Sequence, residues 1–276
     1  MYASKNVTVI LPCAGEGTRL GLTTPKELYE IIPGTRLIDF SLEHIRYFST
    51  SQRTSKLSVV VVTRPWKIEV ADYVSYRLPG IAIETMMFND RYFEWPGSVY
   101  SANPMFSDFN IVLLPDSFIG LSRDLTPLND SPISWLTNMN GKSLIELMIE
   151  KLSIYHVIFG NIECKEPKTL SKLGAMKVKN GLVTLFQDKP KANYQLYNCF
   201  WGCYGFRKEY GEKLYDFLLH SVQHQSLELE SQSFYPPGAV PIASYYDLGT
   251  WDNIARFKLE CQWLCECQKL EQCSGF

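Results

Sequence analysis

The sequence predicts an α/β fold: a mixed, mostly parallel sheet with helices on both faces. Three observations predict it. Short β-branched runs alternate with helical-period stretches through the first half of the chain. A glycine-rich loop follows the first of those runs directly. The chain has 276 residues, 46% of them hydrophobic, enough for one large core.

Val7-Thr8-Val9-Ile10-Leu11 is the first run and reads as a buried strand. Residues 36–48 place Leu37, Ile38, Phe40, Leu42, Ile45 and Phe48 at helical spacing. Residues 57–62 are a β-branched run and read as a buried strand. Residues 67–78 read as a helix that Pro79-Gly80 ends, and 81–88 as a third strand. This alternation is that of parallel strands joined by crossover helices. Residues 89–96 then read as a loop and 97–106 as a helix. Residues 110–116 read as a strand ending on Asp116.

The second half changes character. Asn180-Gly181, flanked by 175–179 and 182–187, is a hairpin signal. Residues 197–206 read as an aromatic-rich strand, 208–223 as a helix, 226–238 as a polar loop and 242–246 as extended. Residues 251–264 close the chain as an amphipathic helix with Ile254, Phe257, Cys261 and Leu264 on one stripe. With no repeat or linker in view, 1–276 reads as a single domain. Its halves are 1–125 and 126–250, with a C-terminal helix and tail at 251–276.

The loop after the first strand reads Leu11-Pro12-Cys13-Ala14-Gly15-Glu16-Gly17-Thr18-Arg19, and Pro25-Lys26 closes the segment. A glycine loop at the carboxyl end of a strand presents backbone N–H groups where open α/β sheets bind ligands. Successive N–H groups form an anion nest. Arg19 and Lys26 add positive charge, so the guest that fits is a polyphosphate. Asp116 ends a strand at the same sheet edge. An acid facing a polyphosphate needs a divalent cation between them.

Three familiar phosphate loops fail here. A P-loop needs Lys and Ser/Thr straight after its last glycine, and Thr18-Arg19-Leu20 stands there. A dinucleotide fingerprint needs a third small residue and a helix starting in the loop. Position 20 is Leu, and Asp39, at the spacing of the ribose acid, falls inside a predicted helix. A protein-kinase loop needs its HRD and DFG partners, which are absent.

Four motifs in order do match. They are Gly15-Glu16-Gly17-Thr18-Arg19 with Pro25-Lys26, the strand-end Asp116, Asp188-Lys189-Pro190, and Tyr246-Asp247-Leu248-Gly249-Thr250-Trp251. In these the chain resembles the sugar-1-phosphate nucleotidyltransferases, the family of the glucose-1-phosphate thymidylyl-, uridylyl- and cytidylyltransferases. The resemblance covers nearly the whole chain. It implies a Rossmann-like sheet with a β-rich sugar-binding lobe, the nucleotide-diphospho-sugar transferase type. The first half then holds the nucleotide and the second the sugar phosphate.

The implied reaction joins a nucleoside triphosphate to a sugar 1-phosphate and releases pyrophosphate, by Mg²⁺-assisted in-line attack on the α-phosphate. The attacking phosphate is already an anion, so positioning and charge neutralisation are the main requirements. By resemblance Arg19, Lys26 and Lys189 are the catalytic cations: Arg19 on the β- and γ-phosphates, Lys26 at the transfer centre, Lys189 on the sugar phosphate. Asp116 and Asp247 match the family's Mg²⁺ ligands. Ala14, Gly15, Gly17, Thr18, Tyr92, Gly97 and Ser98 are expected at the nucleotide. Gly174, Asp188 and Asn198 are expected, with Lys189, at the sugar phosphate.

Two departures bear on the substrate. The 89–96 loop has no Gln ahead of Gly97, where thymidylyl- and uridylyltransferases carry one to read the base. Asp188 stands where the family often has Glu. An alternative is therefore a cytidylyltransferase for a phosphocholine, phosphonate, polyol or cyclitol phosphate. A further alternative is a non-catalytic, nucleotide-binding regulatory member.

Net charge is −2, from 27 basic and 29 acidic residues, which does not favour a nucleic-acid partner. No apolar run reaches membrane-spanning length, and the N-terminus lacks a signal-peptide layout, so a cytoplasmic protein is expected. Its 8 cysteines are then reduced thiols. Cys261, Cys265, Cys267 and Cys273 lack the paired C-x-x-C spacing of a zinc site. His44, His156, His220 and His224 read as structural. Tyr92, Phe93 and Trp95 are candidates for a base pocket or a homo-oligomer interface.

Overall fold

Val7, Val9, Ile10 and Leu11 are fully buried in β1 (Asn6–Pro12), so both faces of this strand are covered, as a central parallel strand requires. The structure, a computed structural model, describes residues 5–51, 56–122, 134–164, 166–223 and 229–260. A short antiparallel pair, β2 (Glu30–Ile32) and β3 (Thr35–Arg36), leads into α1 (Asp39–Ser51). Then come β4 (Lys56–Thr63), α2 (Glu69–Arg77), β5 (Ala82–Met87) and α3 (Glu94–Tyr100). β6 (Phe109–Leu113), β7 (Ser117–Gly120), α4 (Leu144–Leu152) and β8 (Val157–Glu163) follow. The second half adds β9 (Gly174–Lys179), β10 (Leu182–Asp188), β11 (Cys199–Arg207) and α5 (Gly211–Val222). It ends with β12 (Gly238–Pro241), β13 (Ser244–Asp247) and α6 (Trp251–Glu260).

Among the described residues one sheet runs β5-β4-β1-β6-β11-β8-β12-β10-β9. β5, β4, β1 and β6 are mutually parallel, while β11 enters antiparallel between β6 and β8. The sheet is thus mixed, with its parallel half first. Alternate residues of β4 face opposite layers. Val59 and Val61 pack with α1, α2 and α4, and Val60 and Val62 with α3 and α5. Helices therefore cover both faces, as expected. β9 also pairs with β11, so β11, β8, β12, β10 and β9 close on themselves. A third cluster, with Phe40, Phe118, Leu248 and Phe257, seats α6 against β7 and β13.

Several boundaries move for local reasons. The helix expected at 36–48 starts at Asp39, whose Oδ2 accepts the Arg36 N–H at 2.8 Å. The 89–96 loop gives up its last residues to α3, where Pro96 sits in the first turn and no N–H is needed. The helix expected through 106 stops at Tyr100, and Pro104 lies in a separate 3-10 turn, Asn103–Met105. Gly238, expected to end a loop, begins β12. Residues 117–174, to which no element was assigned above, hold β7, α4 and β8. α4 is opened by a capping box between Ser143 and Glu146. The expected end of the last helix, 261–264, the C-terminal cysteines, His224 and residues 226–228 lie outside the described residues.

Candidate active site

The glycine loop leaves β1 at Pro12, and three of its carbonyls meet cations from the end of β4. Lys67 Nζ donates to Cys13 O at 2.6 Å and to Gly15 O at 2.7 Å, and Arg64 Nε donates to Ala14 O at 3.0 Å. Lys67 also lies 2.8 Å from both carboxylate oxygens of Glu27. Both side chains of that pair are buried. The Arg64 guanidinium rests over Phe88, 4.5 Å from the ring centre, and reaches Asp90 at 3.4 Å. Gly17 takes φ 70°, which glycine adopts without a steric penalty. The Lys26 side chain runs close beside it. Thr18 O accepts the Gly21 N–H at 3.2 Å, completing the turn that carries Arg19.

Lys26 sits on a 3-10 turn, Lys26–Leu28, behind Pro25. Its Nζ meets Asp116 Oδ2 at 2.5 Å. Asp116 lies two residues past Leu114, between β6 and β7. Its carbonyl accepts the Leu248 N–H at 2.8 Å, and Asp247 pairs with Ser117 across β13 and β7. The two acids expected to hold metal are therefore on adjoining backbones. Asp247 Oδ1 accepts the Gly249 N–H at 2.9 Å. A Cβ on Gly249 would lie 2.8 Å from Arg19 Nη2 and 2.9 Å from Asp247 Oδ1, so the guanidinium and the carboxylate flank this glycine. Arg19, Lys26, Asp116 and Asp247 form one cluster at the carboxyl edge of β1 and β6.

Opposed forces set the charge states here. Burial works against ionised Asp116, yet Lys26 and then Arg19 outweigh it and hold the carboxyl below its ordinary pKa of 3.8. Burial likewise works against ionised Lys26, and the charge and hydrogen bond of Asp116 more than offset it, raising the ammonium above 10.5. For Glu27 burial prevails over the pull of Lys67, and its pKa is raised.

The second group of expected residues lies along the same sheet edge. Leu113 at the end of β6 faces Cys203, Trp201 faces Asn161, Phe200 faces Ala175, and Gly174 faces Asp188. These pairings carry the edge from Asp116 to Asp188 and Lys189. Asp188 is buried, and its N–H donates to Ser221 Oγ at 2.9 Å. Lys189 adopts φ 46° immediately before Pro190, a strained backbone of the kind found where side-chain direction matters. Its Nζ lies 3.5 Å from Asp188 Oδ2. Over Gly174 lies Trp201: a Cβ there would fall onto the indole nitrogen. Trp201 in turn packs on Trp95, ring centres 4.8 Å apart. Asn198 spends its amide on Val178, accepting its N–H at 2.9 Å and donating to its carbonyl at 3.0 Å.

Around the base-side residues, Ala14, Gly97 and Ser98 are buried. Tyr92 packs edge-on against Tyr100 and Tyr215, ring centres 4.9 and 5.5 Å away. Of the three aromatic interface candidates only Phe93 stays exposed, at 64%. His44 is buried in α1 with Nε2 3.0 Å from Ile119 O, and burial lowers its pKa to about 4. His156 stacks on Tyr210, 4.3 Å between ring centres, and its pKa is lowered by burial and by Arg207. The described cysteines, Cys13, Cys164, Cys199 and Cys203, are free thiols.

Lys67, Glu27 and Arg64 were not singled out from the sequence. A lone Lys near a helix start reads as solvated surface. The one available signal was its position just past the buried β4, level with the glycine loop.

No family model and no curated protein matches this sequence. Solved structures do match it. One from Bacillus anthracis, described as a glucose-1-phosphate thymidylyltransferase in complex with sucrose, is 13% identical with a TM-score of 0.64. That match covers 94% of this chain and 95% of the other. The UTP-bound UGPase of Acinetobacter baumannii is 14% identical, TM-score 0.62, covering 98% and 100%. The inositol-1-phosphate CTP transferase of T. maritima is 13% identical, TM-score 0.59, covering 92% and 96%. The chain shares the mixed α/β fold of these nucleotidyltransferases over 92–98% of its length. Its charged cluster lies at the sheet edge where such open sheets bind ligands.

Proposed function

We propose that this chain is a nucleotidyltransferase that joins a nucleoside triphosphate to a sugar 1-phosphate and releases pyrophosphate. One observation carries the reading. Arg19, Lys26, Asp116 and Asp247, drawn from separate segments, converge at the mouth of a glycine loop. Arg19 takes the β- and γ-phosphates, for which its fork of donors is suited. Lys26 releases Asp116 and turns to the phosphates at the transfer centre. Lys189, held in its strained conformation, holds the acceptor phosphate. The attacking phosphate oxygen displaces pyrophosphate in line, and no general base is required because the nucleophile is already ionised.

The two carboxylates fit Mg²⁺, which is bound through one or two acids plus substrate phosphates and not by an all-protein cage. Among the described residues no cluster of three or more His, Cys, Asp or Glu is found, so substrate oxygens would complete the shell. When bound, the ion would offset charge building on the α-phosphate. The four free thiols accord with a reducing compartment such as the cytoplasm. No helix of the described residues is long and apolar enough to cross a membrane.

A second reading is CTP with a cyclitol, polyol, phosphocholine or phosphonate acceptor. Its basis is the absence of Gln in the 89–96 loop and the shorter acid, Asp188, ahead of Lys189. The test is pyrophosphate release with Mg²⁺ across UTP, dTTP, CTP, ATP and GTP against glucose 1-phosphate, glucosamine 1-phosphate, inositol 1-phosphate and phosphocholine. A hexose phosphate with UTP or dTTP supports the first reading. CTP alone with a non-hexose acceptor supports the second. Triphosphate binding without turnover on any acceptor would make the chain a nucleotide-binding regulator.

A further inference from the structure

The buried Lys67 ammonium has three N–H donors, and each finds an acceptor: Cys13 O, Gly15 O and the Glu27 carboxylate. Arg64 takes the carbonyl between them, Ala14 O. Three consecutive loop carbonyls are thus spent on cations from beyond β4. In a planar trans peptide the C=O of one residue and the N–H of the next point in opposite directions. The N–H groups of Ala14 and Glu16 therefore face away from Lys67, and that of Gly15 faces away from Arg64. Among the described residues none of these three N–H groups has an acceptor. A loop with its carbonyls consumed and its amides unspent keeps backbone donors available for an anion.

The third donor extends the effect. Glu27 is the residue after Lys26 and is itself fully buried. Lys67 thus ties the glycine loop and the turn that carries Lys26 to one point.

We propose that Lys67 is a positioning residue of the triphosphate site. It turns the loop amides toward the phosphates and, through Glu27, fixes the turn from which Lys26 acts. This rests on the reading that the loop binds a triphosphate. The rival is that Lys67 serves only to neutralise Glu27, and a double variant separates the two.

Lys67→Met alone strands a buried carboxylate and is expected to lose stability. Lys67→Met with Glu27→Gln removes both charges and keeps the packing volume. Affinity for inorganic tripolyphosphate, which has no base or sugar, is measured by calorimetry. The double variant is expected to melt cooperatively and to bind tripolyphosphate about 10- to 100-fold more weakly, the scale of a small misplacement of binding groups. Its acceptor KM should change by less than about twofold, because Lys189 stands on a separate element. A double variant with wild-type tripolyphosphate affinity overturns the role and leaves the proposed function standing. Wild-type protein that takes up neither tripolyphosphate nor any nucleoside triphosphate overturns the proposed function and this role with it.

Discussion

Lys26 Nζ and Asp116 Oδ2 meet at 2.5 Å across 90 residues of sequence, and each holds the other ionised. Asp116 has a lowered pKa, so its contribution is present above the ordinary value of 3.8 and is lost as pH falls through the lower folded value. Lys26 has a raised pKa, so its contribution is present below 10.5 and is lost as pH rises through the higher folded value. The pair is therefore complete through the neutral range. Asp116→Asn should cost about 1.5–3 kcal/mol, the worth of a hydrogen bond to a charged group. In thermal melts the gap to wild type should stay constant from about pH 5 to pH 9 and close on either side, in acid as Asp116 is protonated and in alkali as Lys26 loses its proton. Turnover should fall by about two orders of magnitude as a transition-state contact is lost. Unchanged turnover would remove Asp116 from the proposed metal pair.

His44 gives a pH dependence of opposite origin. It is buried and neutral in the folded protein, with a pKa near 4 against 6.5 for the free side chain. Below 6.5 the unfolded chain gains a proton that the folded one does not. Stability is lost as pH falls from 6.5 toward 4, by about 3 kcal/mol at about 1.4 kcal/mol per unit. His44→Gln, whose amide can still donate to Ile119 O, should flatten that slope in urea unfolding. Parallel slopes for the two proteins would contradict the assignment.

Gly97 and Gly15 should respond differently to alanine. A Cβ on Gly97 would lie 2.7 Å from the Tyr92 carbonyl carbon, so backbone must move. Overpacking of this kind costs about 1–3 kcal/mol. If the 89–97 loop holds the base, Gly97→Ala also raises the triphosphate KM, by about tenfold for the same free energy. A Cβ on Gly15 meets nothing within 4 Å. Gly15→Ala should keep its melting temperature within about 2 °C of wild type, as surface substitutions do. Equal melting losses at both positions would show that the space around them is not what sets the cost.

The sequence made the charged motifs legible because each is local: a glycine loop, a Pro-Lys turn, an Asp after a strand. The Asn180-Gly181 hairpin was equally local, and the structure gives it φ of 53° and 75°, a pair of left-handed residues joining β9 to β10. The pairings that bring Asp188 and Lys189 to the edge of Asp116 were not legible. They depend on β11 crossing between β6 and β8 and then taking β9 as a further partner. No period in the sequence of β12, four residues long, announces it as a strand. Lys67 was hidden for a related reason. Its three acceptors lie 40 to 54 residues away, and only the folded sheet shows that a lysine there is buried.

Phosphorus NMR on wild-type protein with Mg²⁺, a nucleoside triphosphate and an acceptor phosphate tests nucleotidyl transfer most directly. The charged cluster predicts that the triphosphate and acceptor resonances decline together. Free pyrophosphate and a new P–O–P diester should rise in equal amounts, and Asp116→Asn should suppress both. Release of orthophosphate with no diester from any acceptor pair would show hydrolysis in place of transfer and contradict the account.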